Sequence, residues 1–213
     1  MSININCPKC NKEITIDNYS IVNVTDNEEL KEKVLNDNIF NFICPECHQE
    51  NKLIYPLIYI DDNRKYKILF TAPDEQLETY LDVLEKDHNE EYITRIVHSS
   101  NELKEKIFIF DQELDDKVIE TIKIFMLDSL NKSNPEKKIK ILYFSIEDDK
   151  YFVEAFSEDS YIGKIAVPKD KYAIFNNIYH EHKHKDQDDG YHVDFKWAYD
   201  LYVGNLKEKK NYN

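Results

Sequence analysis

The chain has 213 residues, of which 41% are hydrophobic and 13% aromatic, and a net charge of −14. That apolar content supports a packed core and excludes a disordered chain. The charge is −3 over residues 1–71 and −11 over the rest, which argues against a general nucleic-acid binder, because phosphate backbones attract clustered basic faces. The only basic run, Lys207–Lys210, reads as a solvated tail. Apolar runs such as Ile124 to Leu127 fall far short of the roughly 20 residues of a membrane span. The start, MSININCPKC, lacks the basic and apolar stretches of a signal peptide. With cysteines spaced for metal, the expected location is the reducing cytoplasm.

In chain order, Ile3 and Ile5 alternate into Cys7-Pro8-Lys9-Cys10, and Ile14 and Ile16 alternate out of it. Thr25 with Glu28, and Asp26 with Glu29, both fit a capping box opening a helix to about Asn36. Ile39 to Ile43 leads into a second copy of the first pattern, Cys44-Pro45-Glu46-Cys47, which uses up the four cysteines. Two cysteines two residues apart can aim both sulfurs at one centre. Two such turns supply the four thiolates of a tetrahedral site. The following residues, Asn11 and His48, are types that tolerate the positive φ a knuckle needs. Zinc is the expected ion. A single iron, as in rubredoxins, and a pair of disulfides are the alternatives.

Leu53 to Tyr59 and Tyr66 to Phe70 flank Asp61-Asp62-Asn63-Arg64 as a hairpin, with Pro56 marking an edge or a bulge. Pro73-Asp74 reads as a boundary. The expected division is a metal-ribbon region over 1–72, an α+β domain over 73–205 and a flexible tail over 206–213. Helix Glu75–Lys86 follows, then a strand at Tyr92–Val97. Ser99 with Glu102 caps a helix at Asn101–Phe110. A longer helix, Leu114 to Leu130, puts Leu114, Val118, Ile122, Phe125 and Met126 on one face. Ile139–Ile146, Tyr151–Phe156 and Tyr161–Val167 form an antiparallel meander. Pro168 opens another helix. After the turn Asp188-Asp189-Gly190, apolar residues at every second position from Tyr191 to Val203 predict a strand. The fold class is α+β: an N-terminal zinc ribbon with a helical insertion, then helices packed on an antiparallel sheet.

The phrases "NCPKCNKEI" and "FICPECHQENKLIYPLIYIDD", with "IVHSSNELKEKIFIFDQELDDKVIE", resemble the CpXC domain family, bacterial and archaeal proteins named for two Cys-Pro-X-Cys motifs. The resemblance covers about residues 1 to 125. It implies metal ligation by Cys7, Cys10, Cys44 and Cys47, and it implies no activity.

A second constellation competes with this one. His180-Glu181-His182-Lys183-His184 fits H-E-x-x-H, in which His180 and His184 would bind a metal and Glu181 would act as general base. Asp186, Asp189, His192 or Asp194 could add a third ligand. The charged intervening residues and the turn just after argue instead for a solvated helix end, where histidine suits the helix dipole. The paired aspartates 61/62, 115/116, 148/149 and 188/189 fall in turns or at helix starts, where backbone hydrogen bonding accounts for them. Three scattered glycines build no phosphate-binding loop. The expected role is a non-enzymatic binding or regulatory module with another protein as partner, against an HExxH-type zinc hydrolase as alternative.

Overall fold

The computed structural model describes residues 2–71, 91–158, 160–186 and 190–204. The chain divides into two compact units, Met1–Lys104 and Glu105–Asn213. In the first, β1 (Ser2–Asn6) and β2 (Glu13–Asp17) form an antiparallel hairpin with Ile3 opposite Ile16 and Ile5 opposite Ile14. After β3 (Ile21–Asn23) and α1 (Glu28–Leu35), a 3-10 turn at Asn38–Phe40 leads into β4 (Asn41–Ile43), which pairs with β5 (Glu50–Lys52). β6 (Leu57–Asp61), β7 (Tyr66–Phe70) and β8 (Ile93–Val97) complete a sheet of order β3-β6-β7-β8. The central pair is antiparallel and both outer pairs are parallel. Its core centres on Phe40, whose ring lies 5.3 Å from Tyr55 and 5.5 Å from Phe70.

Local chemistry sets these elements, with two departures from expectation. The helix cap is Asn27, whose side chain accepts the Leu30 N–H at 3.0 Å. Thr25 lies two residues before that cap, and its hydroxyl accepts the Asp62 N–H at 2.8 Å instead. The expected strand Leu53–Tyr59 is broken, since β5 ends at Lys52 and β6 begins just after Pro56, a residue with no N–H for a ladder. The hairpin turn forms as expected: the Asp61 carboxylate accepts both the Asn63 and Arg64 N–H groups at 3.0 Å. The expected helix Glu75–Lys86, Asp188, Asp189 and the tail lie outside the described residues.

Helix α2 (Ser100–Asp111) starts with the anticipated capping box. Glu102 accepts the His98 and Ser99 N–H groups at 2.7 and 3.1 Å, and the Ser99 hydroxyl accepts the Glu102 N–H at 3.2 Å. In the second unit α3 (Asp116–Ser133) is capped by Asp115. β9 (Ile141–Glu147), β10 (Lys150–Phe156) and β11 (Tyr161–Val167) form the expected antiparallel meander in the order β11-β10-β9. The alternation holds: Leu142, Phe144, Tyr151, Val153 and Ala155 are buried. α3 packs against β9 and against α4 (Lys169–His182), which Pro168 opens. The apolar face expected on α3 is partly right. Val118 and Ile122 are buried, but Phe125 is 44% exposed.

The expected strand at Tyr191–Val203 is instead helical: α5 spans Phe195–Tyr199 and a π-helical turn spans Asp200–Gly204. An alternating series contains two interleaved four-residue series, and four-residue spacing is a helical face. Val193, Trp197 and Leu201 form one such series and are buried. Asp194 decides between the readings, because its side chain caps the helix by accepting the Trp197 N–H at 2.8 Å. Asp194→Ala should therefore cost about 1 kcal/mol, read as a lower urea midpoint in the fluorescence of Trp197, the only tryptophan of the chain.

Candidate metal centre

Each Cys-Pro-X-Cys sequence closes a hairpin by the same pair of backbone bonds. The Cys7 N–H donates to the Lys12 carbonyl at 2.9 Å and the Asn11 N–H to the Cys7 carbonyl at 2.9 Å. In the second copy, the Cys44 N–H donates to the Gln49 carbonyl at 3.0 Å and the His48 N–H to the Cys44 carbonyl at 2.9 Å. Asn11 and His48 take φ of 57° and 54°, the left-handed region expected of them. Side chains then brace one copy against the other. Lys9 donates to Gln49 at 3.2 Å and Lys12 pairs with Glu46 at 3.0 Å. Lys9 and Glu46 hold the third position of their copies, and Lys12 and Gln49 the sixth, so the two braces are equivalent about an approximate twofold. The bracing was missed in the sequence. The complementary residues at matching positions of the repeats were its only signal.

The four sulfurs converge. Cys7 and Cys47 lie 3.7 Å apart, Cys10 and Cys44 3.8 Å, and the whole set falls within 4.8 Å. A tetrahedron with metal–sulfur bonds of roughly 2.3 Å has edges of about 3.8 Å, so the donor set fits a four-thiolate ion. Cys7 and Cys44 are buried with Ile14, and Ile5, Ile16 and Phe42 pack around them. The electrostatics are uneven. Backbone N–H groups of Cys10 and Lys9 hold the Cys7 thiol down at about 6, against burial. The Lys12 N–H lowers Cys10, but burial and the neighbouring sulfurs outweigh it and push Cys10 up to about 11. Lys12 is raised first by Glu46 and then by the charges of Cys10 and Cys44.

The histidine cluster is built differently. α4 ends at His182, and His184 sits in the 3-10 turn Lys183–Lys185, so no single α-helix carries the H-E-x-x-H spacing. The Nδ1 atoms of His180 and His182 lie 2.9 Å from the Asn176 and Ile178 carbonyls of their own helix. Asp186 accepts the Trp197 indole N–H at 2.9 Å and pairs with Lys117 at 2.8 Å, and Asp194 is the α5 cap. Asp189 lies outside the described residues. Among the described residues, the cysteine quartet is the one group of three or more Cys, His, Asp or Glu positioned to hold an ion. No described helix is long and apolar enough to cross a membrane.

The fold and the site thus define an α+β protein whose two Cys-Pro-X-Cys hairpins share a four-sulfur centre. A family model, described as CpXC protein, matches residues 5–123, more than half of the chain. The chain belongs to the CpXC family. No curated protein and no solved structure matches it.

Metal affinity here should depend on pH in a defined direction. A thiol such as Cys10, pushed up to about 11, must give up its proton to bind an ion, so loading releases protons and tightens as pH rises. Titration calorimetry in buffers of different ionisation enthalpy should show this release. A buffer-independent heat at pH 7 would contradict it.

Proposed function

We propose that the protein is a non-enzymatic interaction or regulatory module of the cytoplasm, whose ribbon is held by a structural zinc and presented to another protein. The observation that carries this reading is the closure of the site. Cys7, Cys10, Cys44 and Cys47 would fill all four tetrahedral positions of a bound ion, leaving none for water or substrate. A catalytic zinc keeps an open position, and a structural one does not. The ion's contribution is the fold itself. Structural zinc in small peptides binds with roughly 10–16 kcal/mol, as much as the 5–15 kcal/mol that is roughly the whole stability of a domain. Zinc is chosen over iron because a long helical insertion separates the hairpins.

Metal analysis tests the site. Protein purified without added metal should be colourless and hold one zinc per chain. The double variant His180→Ala, His184→Ala should keep that zinc, whereas a second ion lost from it would favour a hydrolase. Cys44→Ser should lose the ion and unfold β1, β2, β4 and β5, while the Trp197 fluorescence of the second unit stays native. Full zinc and an unchanged amide spectrum in that variant would refute the structural role. Affinity capture from cell extract, with Cys44→Ser as the control, tests the module reading: a partner retained equally by both proteins would show that the ribbon does not present it.

A further inference from the structure

Packing in the second unit encloses five charged side chains. Glu105 and Lys106 of α2, and Asp116, Glu120 and Lys123 of α3, are each at most 3% exposed. Positions 116, 120 and 123 share one helical face. Lys123 reaches both oxygens of Glu105, at 2.8 and 3.0 Å, and Glu120 Oε1 at 2.8 Å. Lys106 lies 2.8 Å from Asp116 and 3.5 Å from Glu120 Oε1, and it donates to the Val193 carbonyl. Glu105 also accepts the Phe144 N–H of β9 at 2.6 Å. The result is a buried row of alternating sign, Glu105, Lys123, Glu120, Lys106, Asp116.

The row holds three carboxyls and two ammonium groups, so full ionisation would bury one uncompensated negative charge. The contacts point to where it is relieved. Glu105 uses both oxygens, and Asp116 is in contact with Lys106. Glu120 uses only Oε1, and its Oε2 is buried with no hydrogen-bond partner. A neutral acid leaves an uncharged hydroxyl there, a smaller desolvation burden than half a carboxylate.

We propose that Glu120 is held as the neutral carboxylic acid in the folded protein at pH 7, so that the network balances and acts as a proton-dependent latch on the second unit. The groups facing Glu120 are Lys123 and Asp116 on its own helix and Glu105 and Lys106 on α2. β9 and the segment entering α5 contribute backbone groups, with His192 next to Val193 in the chain. Burial is the chief force raising Glu120 above the ordinary carboxylate range, with Glu105 adding to it and Lys123 and Lys106 opposing it. The sign follows from a folded state that binds the proton more tightly than the unfolded one. The stabilisation is complete below the ordinary carboxylate range and is lost as pH rises through the folded value.

Carboxyl NMR of the full-length wild type, labelled at the glutamate side-chain carbons, reads the state directly. At pH 7 one glutamate should lie at the neutral-acid position, and a folded protein with every glutamate ionised overturns the proposal. Urea unfolding followed by Trp197 gives the consequence. Relative to Glu120→Gln, the wild-type ratio of folded to unfolded protein should fall by up to about tenfold per pH unit while the acid titrates. A variant that keeps the wild-type slope overturns it too. If the variant does not fold, the wild-type NMR spectrum decides.

Discussion

The first unit depends on bringing four sulfurs to one point across a gap of 33 residues between the two cysteine pairs. The hairpins β1–β2 and β4–β5 are two-stranded, a size that is marginal at best alone in water. Their shared core has three buried members, Cys7, Ile14 and Cys44, and two of these are ligand candidates. Little apolar area is left to hold the hairpins together if the sulfurs do not. The braces Lys9–Gln49 and Lys12–Glu46 are solvent-facing, and pairs of that kind contribute at most about 1 kcal/mol. They set the orientation of one hairpin on the other, and in the proposed reading an ion held by the four sulfurs supplies the strength.

The second unit solves a similar problem with buried charge. α3 is enclosed on every side from Val118 to Ile124, including Glu120, Thr121 and Lys123. A buried ion pair seldom adds net stability over an apolar equivalent, but removing one partner strands the other at a cost of several kcal/mol. The alternating row therefore makes its members mutually dependent. Sliding α3 along α2 would separate the pairs that cross between them, Lys123 with Glu105 and Lys106 with Asp116, so the row favours the observed register.

What the sequence disclosed follows from the range of the forces involved. The knuckles, the Ser99–Glu102 capping box and the meander are specified within a few residues, and each forms where expected. The strand predicted at Tyr191–Val203 failed because period-two and period-four spacing coincide in it, and a single cap at Asp194 separates them. The parallel pairings β3–β6 and β7–β8 join segments distant in sequence, and no local pattern announces them. The buried network was invisible for a related reason. Glu and Lys at helical spacing read as a solvated face, and only the packing of α2, α3 and β9 reveals that these side chains face inward.

The two units thus differ in what can undo them. The cysteine centre is sensitive to acid, because protons compete with a metal for thiolates. Glu120 responds in the opposite direction: in the proposed reading the row is balanced while that one proton stays and strained once it leaves. Acid should therefore act on the first unit through its thiolates, and base on the second through Glu120. Each unit's response follows from the ionisation its buried site requires, thiolate in one and carboxylic acid in the other.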